Sequence, residues 1–212
     1  MFRSLGYTRA LIASGRQRLF AWALAHLNSN YEKKLAAAKQ TLFSGISGTI
    51  VEIGPGTGAN LSYFSHNIRW IGIEPNPFMD KYLWKRANAL GLHLEIRRGT
   101  AENLPVPDSS ADAVVSTLVL CSVSDVAKAL AEILRVLKPG GRLVLVDSLQ
   151  RGDEPDYEGL FDLFPQNYHE PYYASYTTED FGAISRACGL THIRDVKAFV
   201  SKVMVFDKPV TA

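Results

Sequence analysis

VEIGPGTGAN, residues 51–60, decides the fold, because an apolar strand runs directly into three glycines at alternate positions. Gly54, Gly56 and Gly58 permit a tight turn and a close approach of ligand to backbone, both of which β-carbons would prevent. We expect a helix to follow from Ala59, with its N-terminal N–H groups facing the same ligand. The stretch therefore predicts a site for a nucleotide-like cofactor at the end of a strand.

Two cofactor classes fit this turn. Gly54, Gly56 and Ala59 also match G-x-G-x-x-G/A, the dinucleotide fingerprint, and Glu74 follows Gly54 by 74 − 54 = 20 residues, where an acid that binds ribose is expected. These residues alone therefore do not exclude a nicotinamide cofactor. The alternative without a ligand is a glycine-rich turn that only packs a helix on a strand.

Composition indicates one domain that acts on a small molecule. With 212 residues, 47% of them hydrophobic and 21% charged, the chain suffices for one sizeable core, preceded by a helical extension. We place the extension at residues 1–45 and the domain at residues 46–212. A net charge of +2 without a block of like charge predicts no nucleic-acid partner.

The cysteines and the hydropathy pattern predict a cytoplasmic protein. Cys121 and Cys188 form neither a metal-type cluster nor a disulfide framework, which is typical of a reducing compartment. No stretch reaches the roughly 18 apolar residues of a spanning helix, and no signal-peptide pattern opens the chain. We therefore expect neither a metal site nor an integral membrane segment.

The first forty residues predict a basic amphipathic helix with two interpretations. Its apolar stripe either packs on the domain and covers the cofactor, or lies in a membrane interface as a peripheral contact. The apolar positions at helical spacing are Leu11, Ile12, Leu19, Phe20, Ala23, Leu24 and Leu27, beside Arg3, Arg9, Arg16 and Arg18.

Strand and helix patterns then alternate along the chain, which predicts a parallel sheet with helices on both faces. No second domain follows, which counts against a nicotinamide dehydrogenase, since such enzymes usually need a substrate domain. We expect a tight turn at Lys138–Gly141. The expected strands are Thr49–Ile53, Ile68–Ile73, Leu92–Ile96, Asp112–Leu118, Arg142–Val146, Thr191–Val196 and Phe199–Phe206, and the expected helices Pro77–Leu90, Val123–Leu137 and Thr177–Ala187.

Four blocks in order, VEIGPGTGAN, IGIEPNP, GTAENLPVPDSSADAVVS and LKPGGRLV, resemble the class I S-adenosylmethionine-dependent methyltransferases. The resemblance covers about residues 49–148. It implies S-adenosylmethionine as the cofactor and an α/β fold, a Rossmann-like, doubly wound, mostly parallel seven-stranded sheet whose last strand is antiparallel.

A narrower resemblance concerns the acceptor. TLVLCSV at residues 117–123 and the upstream NYEKK and LF segments are similar to the methyltransferase-like thiol methyltransferases, which are membrane-attached in animals. FPQNYHEPYY has no counterpart there and is similar to bacterial relatives. A thiol or sulfide acceptor is the expectation, with a quinone or phenol acceptor as the alternative and a nicotinamide-dependent reductase as the third.

The resemblance also implies roles for single residues. The glycine turn would face the methionine part of the cofactor, Glu52 its ammonium group and Glu74 both ribose hydroxyls. Thr100 stands where relatives commonly carry an acid for the adenine, so recognition there would rely on the Ala101 backbone. The further expected cofactor contacts are Tyr31, Asn60, Pro75, Asn76, Glu102, Thr117 and Leu118.

Several of these residues have alternative roles. Glu52 could bond the N–H groups of the glycine turn, Asn76 could shape its own turn, Glu102 could cap the turn after it, and Tyr31 could pack within a helix. For catalysis we expect His169 to assist deprotonation and Tyr172 and Tyr173 to line the pocket, the alternative being a surface loop with aromatic anchors. Cys121 is not expected to be a nucleophile, since methyl transfer from a sulfonium needs none.

Overall fold

The computed structural model describes residues 2–27, 29–147, 178–198 and 201–210, with side chains described over 14–27, 32–120, 122–147, 182–192 and 204–210. Helices and strands alternate through most of this range, as the sequence pattern predicts. The helices are α1 Phe2–Leu27, α2 Ser29–Phe43, α3 Asp80–Leu90, α4 Val126–Val136 and α5 Thr178–Ala187, and the strands are β1 Gly48–Ile53, β2 Ile68–Ile73, β3 Leu94–Arg97, β4 Ala111–Thr117, β5 Leu137–Asp147, β6 Thr191–Ala198 and β7 Ser201–Asp207.

The seven strands form one sheet in the order β3-β2-β1-β4-β5-β7-β6. Neighbours from β3 to β5 pair in parallel, whereas β7 is antiparallel to both β5 and β6. The expected mostly parallel sheet with an antiparallel last strand is confirmed. Because β1 and β4 are adjacent central strands, their carboxyl ends bring the glycine turn and the residues after Thr117 together.

Apolar side chains cover both faces of the sheet. On one face, α4 contributes Leu130 and Ile133 to a buried core, and Ile184 of α5 packs against it. On the other face, Phe43 of α2 and Leu83 of α3 are buried in a second core. Because β1 lies between these two cores, its successive side chains are buried on alternate sides.

The helix expected from Ala59 is absent, and a 3-10 turn, Leu61–Tyr63, takes its place. The N–H groups of Gly58 and Leu61 donate to the carbonyls of Pro55 and Gly58, so they are used within successive tight turns. Positive φ at Gly58 and the extended backbone of Phe64 leave too little chain for a regular helix before β2. The prediction of N–H groups at a helix N-terminus is therefore wrong.

The turn expected at Lys138–Gly141 lies within β5 as a bulge with Gly140 at φ of +74°, because β5 already begins at Leu137, directly after α4. Leu137 pairs with Ala111 of β4 and Arg142 pairs with Ala113, so the extra residues lie in β5. The N–H of Gly140 donates to the Lys208 carbonyl and the N–H of Lys208 to the Gly141 carbonyl. The C-terminal segment supplies these backbone partners, which a local pattern does not indicate.

Within the described residues, no helix combines the length and apolar character required to cross a bilayer. The longest of these helices is α1. In its second half, Gln17 lies close to Asn76 in the turn after β2, and Leu24 lies close to Gly56 in the turn after β1.

Candidate active site

The glycine turn follows β1 directly and folds back at the carboxyl edge of the sheet. Gly54, Gly56 and Gly58 have φ of +60°, +55° and +80°, which disfavour any residue with a β-carbon. A β-carbon on Gly54 would also lie 2.5 Å from Cγ2 of Val119, in the loop after β4. The turn therefore requires glycine both for its backbone and for its packing on the neighbouring strand's loop.

Glu74 follows β2, and its carboxylate lies beneath this turn. Its Oε2 accepts the N–H of Gly56 at 3.0 Å and its Oε1 accepts the N–H of Asn76 at 2.8 Å. Burial raises the pKa of Glu74, and the two backbone hydrogen bonds and the charge of Arg98 act in the opposite direction. Each oxygen keeps a further acceptor position, so the oriented carboxylate fits the two hydroxyls of a ribose.

Glu52 lies on β1 with partners that neither sequence interpretation foresaw. Its Oε2 accepts from the indole Nε1 of Trp70 at 2.8 Å, and its Oε1 accepts from Nδ2 of Asn60 at 2.9 Å. Burial raises the pKa of Glu52 to about 7, although Trp70, Asn60 and the charge of Lys39 lower it. The alternative role in bonding the N–H groups of the glycine turn is not what the geometry shows.

Asn60 joins the glycine turn to the end of β4. Its Nδ2 donates to Oγ1 of Thr117 at 3.0 Å as well as to Glu52. Its Oδ1 is buried and has no hydrogen-bond partner among the described residues. A buried carbonyl oxygen of this kind costs free energy until a donor reaches it. The turn therefore holds one open acceptor, which fits a ligand that carries N–H groups.

The loop after Thr117 is the strained part of the site. Leu118 has φ of +56°, a conformation that it shares only with Ser109 among the non-glycine residues described. The N–H of Leu118 donates to the Val146 carbonyl and that of Leu120 donates to Oδ2 of Asp147. Strain of this kind persists only where surrounding contacts hold it, and it concentrates at functional sites.

Asp147 is a supporting residue that sequence analysis missed. It ends β5, is almost fully buried and accepts the Leu120 N–H at 2.8 Å. The sequence does carry a signal for it: Asp147 is an acid directly after the apolar run Leu143–Val146. Glu74 at the end of β2 shows the same pattern.

The expected adenine-side residues form the turn after β3. Ala101 is buried, and the hydroxyl of exposed Thr100 bonds to the Glu102 side chain. Glu102 Oε1 also accepts two hydrogen bonds from Ser124, one from its N–H at 3.0 Å and one from its hydroxyl at 2.8 Å. Glu102 thus connects this turn to the loop before α4, a contact that its local sequence does not indicate.

Asn76 shapes its own turn, as the alternative interpretation expected, and it also holds α1. Its Oδ1 accepts the Phe78 N–H at 3.0 Å, while its Nδ2 donates to the Gln17 carbonyl at 3.0 Å. Pro75 beside it is exposed. Leu24 of α1 lies 3.0 Å from where a β-carbon on Gly56 would stand. The first interpretation of the N-terminal helix, packing over the cofactor turn, agrees with these contacts.

The expected catalytic residues His169, Tyr172 and Tyr173 lie outside the described residues. Tyr31 falls within α2, but its side chain is outside the described part, as is that of Cys121. Their roles stay predictions.

Known proteins resemble this chain over the region just described. The family described as "Methyltransferase domain" matches residues 51–145. Thiol S-methyltransferase TMT1B of Rattus norvegicus is 40% identical over 136 residues, which are 58% of this chain and 55% of the relative. Thiol S-methyltransferase TMT1A of Homo sapiens is 37% identical over 143 residues, 62% and 58% of the two chains. The chain thus spans a little over half the length of these curated relatives.

Solved structures agree on the fold. The YcgJ protein of Bacillus subtilis is 26% identical, with a TM-score of 0.62 over 78% of this chain and 70% of that one. A SAM-dependent methyltransferase from Aquifex aeolicus has a TM-score of 0.62 over 87% and 90%, and its 21% identity supports the fold alone. The family match includes the glycine turn, Glu74 and β4, around which the buried acids converge. Residues 51–145 of this chain are therefore similar in sequence to a methyltransferase domain.

Proposed function

We propose that this protein transfers the methyl group of S-adenosylmethionine to the sulfur of a small thiol or sulfide. The observation that carries the cofactor part is Glu74, a buried carboxylate held by the N–H groups of Gly56 and Asn76 directly beneath the glycine turn. Such a carboxylate suits ribose hydroxyls, and the open Oδ1 of Asn60 suits an ammonium group.

The residues present fit this cofactor, which supplies an activated methyl group on a sulfonium with a good neutral leaving group. Glu74 would hold its ribose, and Glu52 with Asn60 its amino-acid end. The backbone from Thr117 to Leu118 lies at the edge where the acceptor would approach. Since transfer is an in-line displacement, the task of the protein is to align the acceptor and exclude water.

The thiol is proposed from two lines of support. Relatives at 37% and 40% identity are named thiol S-methyltransferases. A free thiol with a pKa of about 8.5 also supplies some thiolate at neutral pH, so the site needs little basic assistance. A phenol, with a pKa of about 10, would need more. His169 as a base, with Tyr172 and Tyr173 as pocket wall, remains part of this proposal.

Calorimetric titration with S-adenosylmethionine, its demethylated product and NADH tests the cofactor, followed by product analysis with alkyl thiols, sulfide and a phenol. We expect micromolar binding of the first two ligands, and methyl thioethers as products. Binding of NADH alone would contradict the cofactor assignment. Methylation of the phenol but not of the thiols would contradict the proposed thiol acceptor. Unchanged turnover of His169→Ala at every pH would contradict the role of His169 as a base.

We also propose a cytoplasmic location with peripheral membrane contact through α1. On this helix Leu19 is 55% and Trp22 is 48% exposed, and Arg18 lies over the Phe78 ring at 4.9 Å. Tryptophan beside cations suits the interface of an anionic bilayer. Sedimentation with phosphatidylserine vesicles should retain the protein, and Trp22→Ala should weaken this several-fold. If wild type and Trp22→Ala sediment with the vesicles to the same extent, or if neither sediments with them, the proposed membrane contact is contradicted.

A further inference from the structure

Two charged residues of α4, Glu132 and Arg135, hold the chain that follows β3. The guanidinium group of Arg135 donates to the carbonyls of Leu104 and Val106, each at 2.9 Å. Oε2 of Glu132 accepts the Leu104 N–H at 2.8 Å. Both backbone polar groups of Leu104, which is buried, are therefore bonded to side chains of one helix.

These contacts use the whole guanidinium group. Besides the two carbonyls, Arg135 donates to both carboxylate oxygens of Glu132, at 2.7 and 2.8 Å, and to Oδ1 of Asp108. All five of its N–H donors therefore have partners. A planar group with donors in fixed directions orients the chain that it binds, which the single ammonium group of a lysine could not do.

The chain held in this way is a turn at the carboxyl edge of the sheet. The turn, Thr100–Asn103, is closed by a hydrogen bond from the Asn103 N–H to the Thr100 carbonyl at 3.1 Å. Leu104 follows it directly, so fixing Leu104 fixes the end of the turn. The Glu102 side chain ties the same turn to Ser124 before α4.

The turn also lies close to the acid that suits a ribose. A β-carbon on Gly99, directly before the turn, would stand 3.1 Å from Cγ2 of Ile73, the residue before Glu74. The sheet order β3-β2-β1 places Glu74 between this turn and the region of Asn60. With the amino-acid end of the cofactor at Asn60 and its ribose at Glu74, the purine base extends toward the turn after β3.

Main-chain groups of this turn would recognise the base. The hydroxyl of Thr100 already bonds to the Glu102 side chain, and the side chain of Ala101 is a methyl group. Adenine carries the acceptor N1 beside an amino group, whereas hypoxanthine carries an N1–H beside a carbonyl. A backbone group fixed in position distinguishes the two bases, because the wrong base leaves a buried polar group unpaired. Selectivity for adenine therefore depends on how firmly the turn is held.

We propose that Glu132 and Arg135 are positioning residues of the cofactor site: from α4 they fix the turn Thr100–Asn103 and thereby set its selectivity for adenine. This inference rests on the proposed function. Both residues act through Leu104 and the chain after it. Without them the ligand itself would have to order the turn, which reduces affinity and leaves the base less strictly read.

The first test asks whether the two residues hold the turn in the protein without ligand. Amide hydrogen exchange followed by NMR should show the N–H groups of Asn103 and Leu104 protected in wild type. Arg135→Gln should accelerate their exchange about ten-fold or more, because the turn then opens more often. Equal exchange rates in wild type and Arg135→Gln would overturn the inference.

Lys208→Met is the matched control. In wild type the Lys208 ammonium group donates to two carbonyls at the end of the same helix, at 2.9 and 2.8 Å. The substitution therefore removes hydrogen bonds from α4 without touching the turn after β3. Exchange at Asn103 and Leu104 should stay as in wild type, so acceleration in Lys208→Met equal to that in Arg135→Gln would also overturn the inference.

The second test measures selectivity by calorimetric titration with S-adenosylhomocysteine and with S-inosylhomocysteine, in which hypoxanthine replaces adenine. Wild type should bind the adenine compound about ten-fold or more tightly. In Arg135→Gln this ratio should fall to about two or three, whereas Lys208→Met should keep it. A variant that is only less stable loses affinity for both compounds by the same factor. An unchanged ratio in Arg135→Gln would therefore show that the contacts serve stability alone and overturn the inference.

Glu132→Gln keeps the test decisive if Arg135→Gln does not fold, which circular dichroism establishes. One carboxylate oxygen becomes an NH₂ group that faces either the Leu104 N–H or Nε of Arg135, so the ratio should fall here as well. An unchanged ratio in this variant would then overturn the inference.

The wild-type titrations separate this inference from the proposed function. If wild type binds S-adenosylhomocysteine no more tightly than the inosine compound, the role of the two residues is overturned and the cofactor assignment stands. If wild type binds neither compound, the proposed function fails, and the inference fails with it.

Discussion

At the scale of single residues, the site is defined by two buried carboxylates with different surroundings. Glu74 accepts two backbone N–H groups, whereas Glu52 accepts from two side chains, Trp70 and Asn60. Backbone donors are fixed by the turn itself, so Glu74 is oriented as soon as the glycine turn forms. The orientation of Glu52 depends on two other segments of the chain, β2 with Trp70 and the stretch after the glycine turn with Asn60.

Glu74→Gln is expected to reduce affinity for S-adenosylmethionine about ten-fold or more. The amide has one acceptor oxygen instead of two, so either Gly56 or Asn76 keeps a buried N–H that faces an NH₂ group. An unsatisfied buried donor costs roughly 1–3 kcal/mol, and one ribose hydroxyl would also lose its acceptor. Calorimetric titration measures the affinity, and chemical denaturation the accompanying loss of stability.

Glu95→Gln serves as the matched control. This acid is partly exposed and pairs with Arg69 and Arg97 at the surface of β3, where ion pairs contribute little. Its affinity for the cofactor should equal that of wild type. Equal affinity in Glu74→Gln would refute the assignment of Glu74 to the ribose.

At the scale of elements, α4 shows how local signals and packing agree. Leu130, Ile133 and Val136 recur on one face and are fully buried, as their helical spacing predicts. Its first residue is Val126 because the Asp125 side chain accepts the Lys128 N–H at 2.9 Å and caps the helix. After Ala59, Asn60 stands at the cap position, but its side chain makes no capping hydrogen bond and donates to Glu52 and Thr117 instead, and no α-helix forms there.

Asp125→Ala should lower the free energy of unfolding by about 1 kcal/mol, because the Lys128 N–H loses its acceptor. Urea denaturation followed by circular dichroism measures this change. Asp125→Asn keeps a capping oxygen and should remain within a few tenths of a kcal/mol of wild type. Equal stabilities of the alanine and asparagine variants would show that the cap contributes nothing.

At the scale of the whole molecule, a single sheet brings together residues that lie far apart in the chain. Adjacent pairing of β1 with β4 places Asn60 beside Thr117 although 57 residues separate them. The same sheet provides one face for α2, whose Phe43 is buried in one core with Ile50 and Trp70. The cofactor region therefore depends on the N-terminal extension as well as on the domain that the family match covers.

The sequence by itself determined the strands, the mostly parallel sheet, the glycine turn and Glu74, because these depend on short-range periodicity and on spacing within about twenty residues. Tertiary structure decided what lies above and behind that turn. Leu24 packs at Gly56, Gln17 accepts from Asn76, and Asp147 holds Leu120. The physical reason is that a hydrogen bond or ion pair between distant segments leaves no period in the chain, and burial makes it strong only after the sheet and both cores have formed.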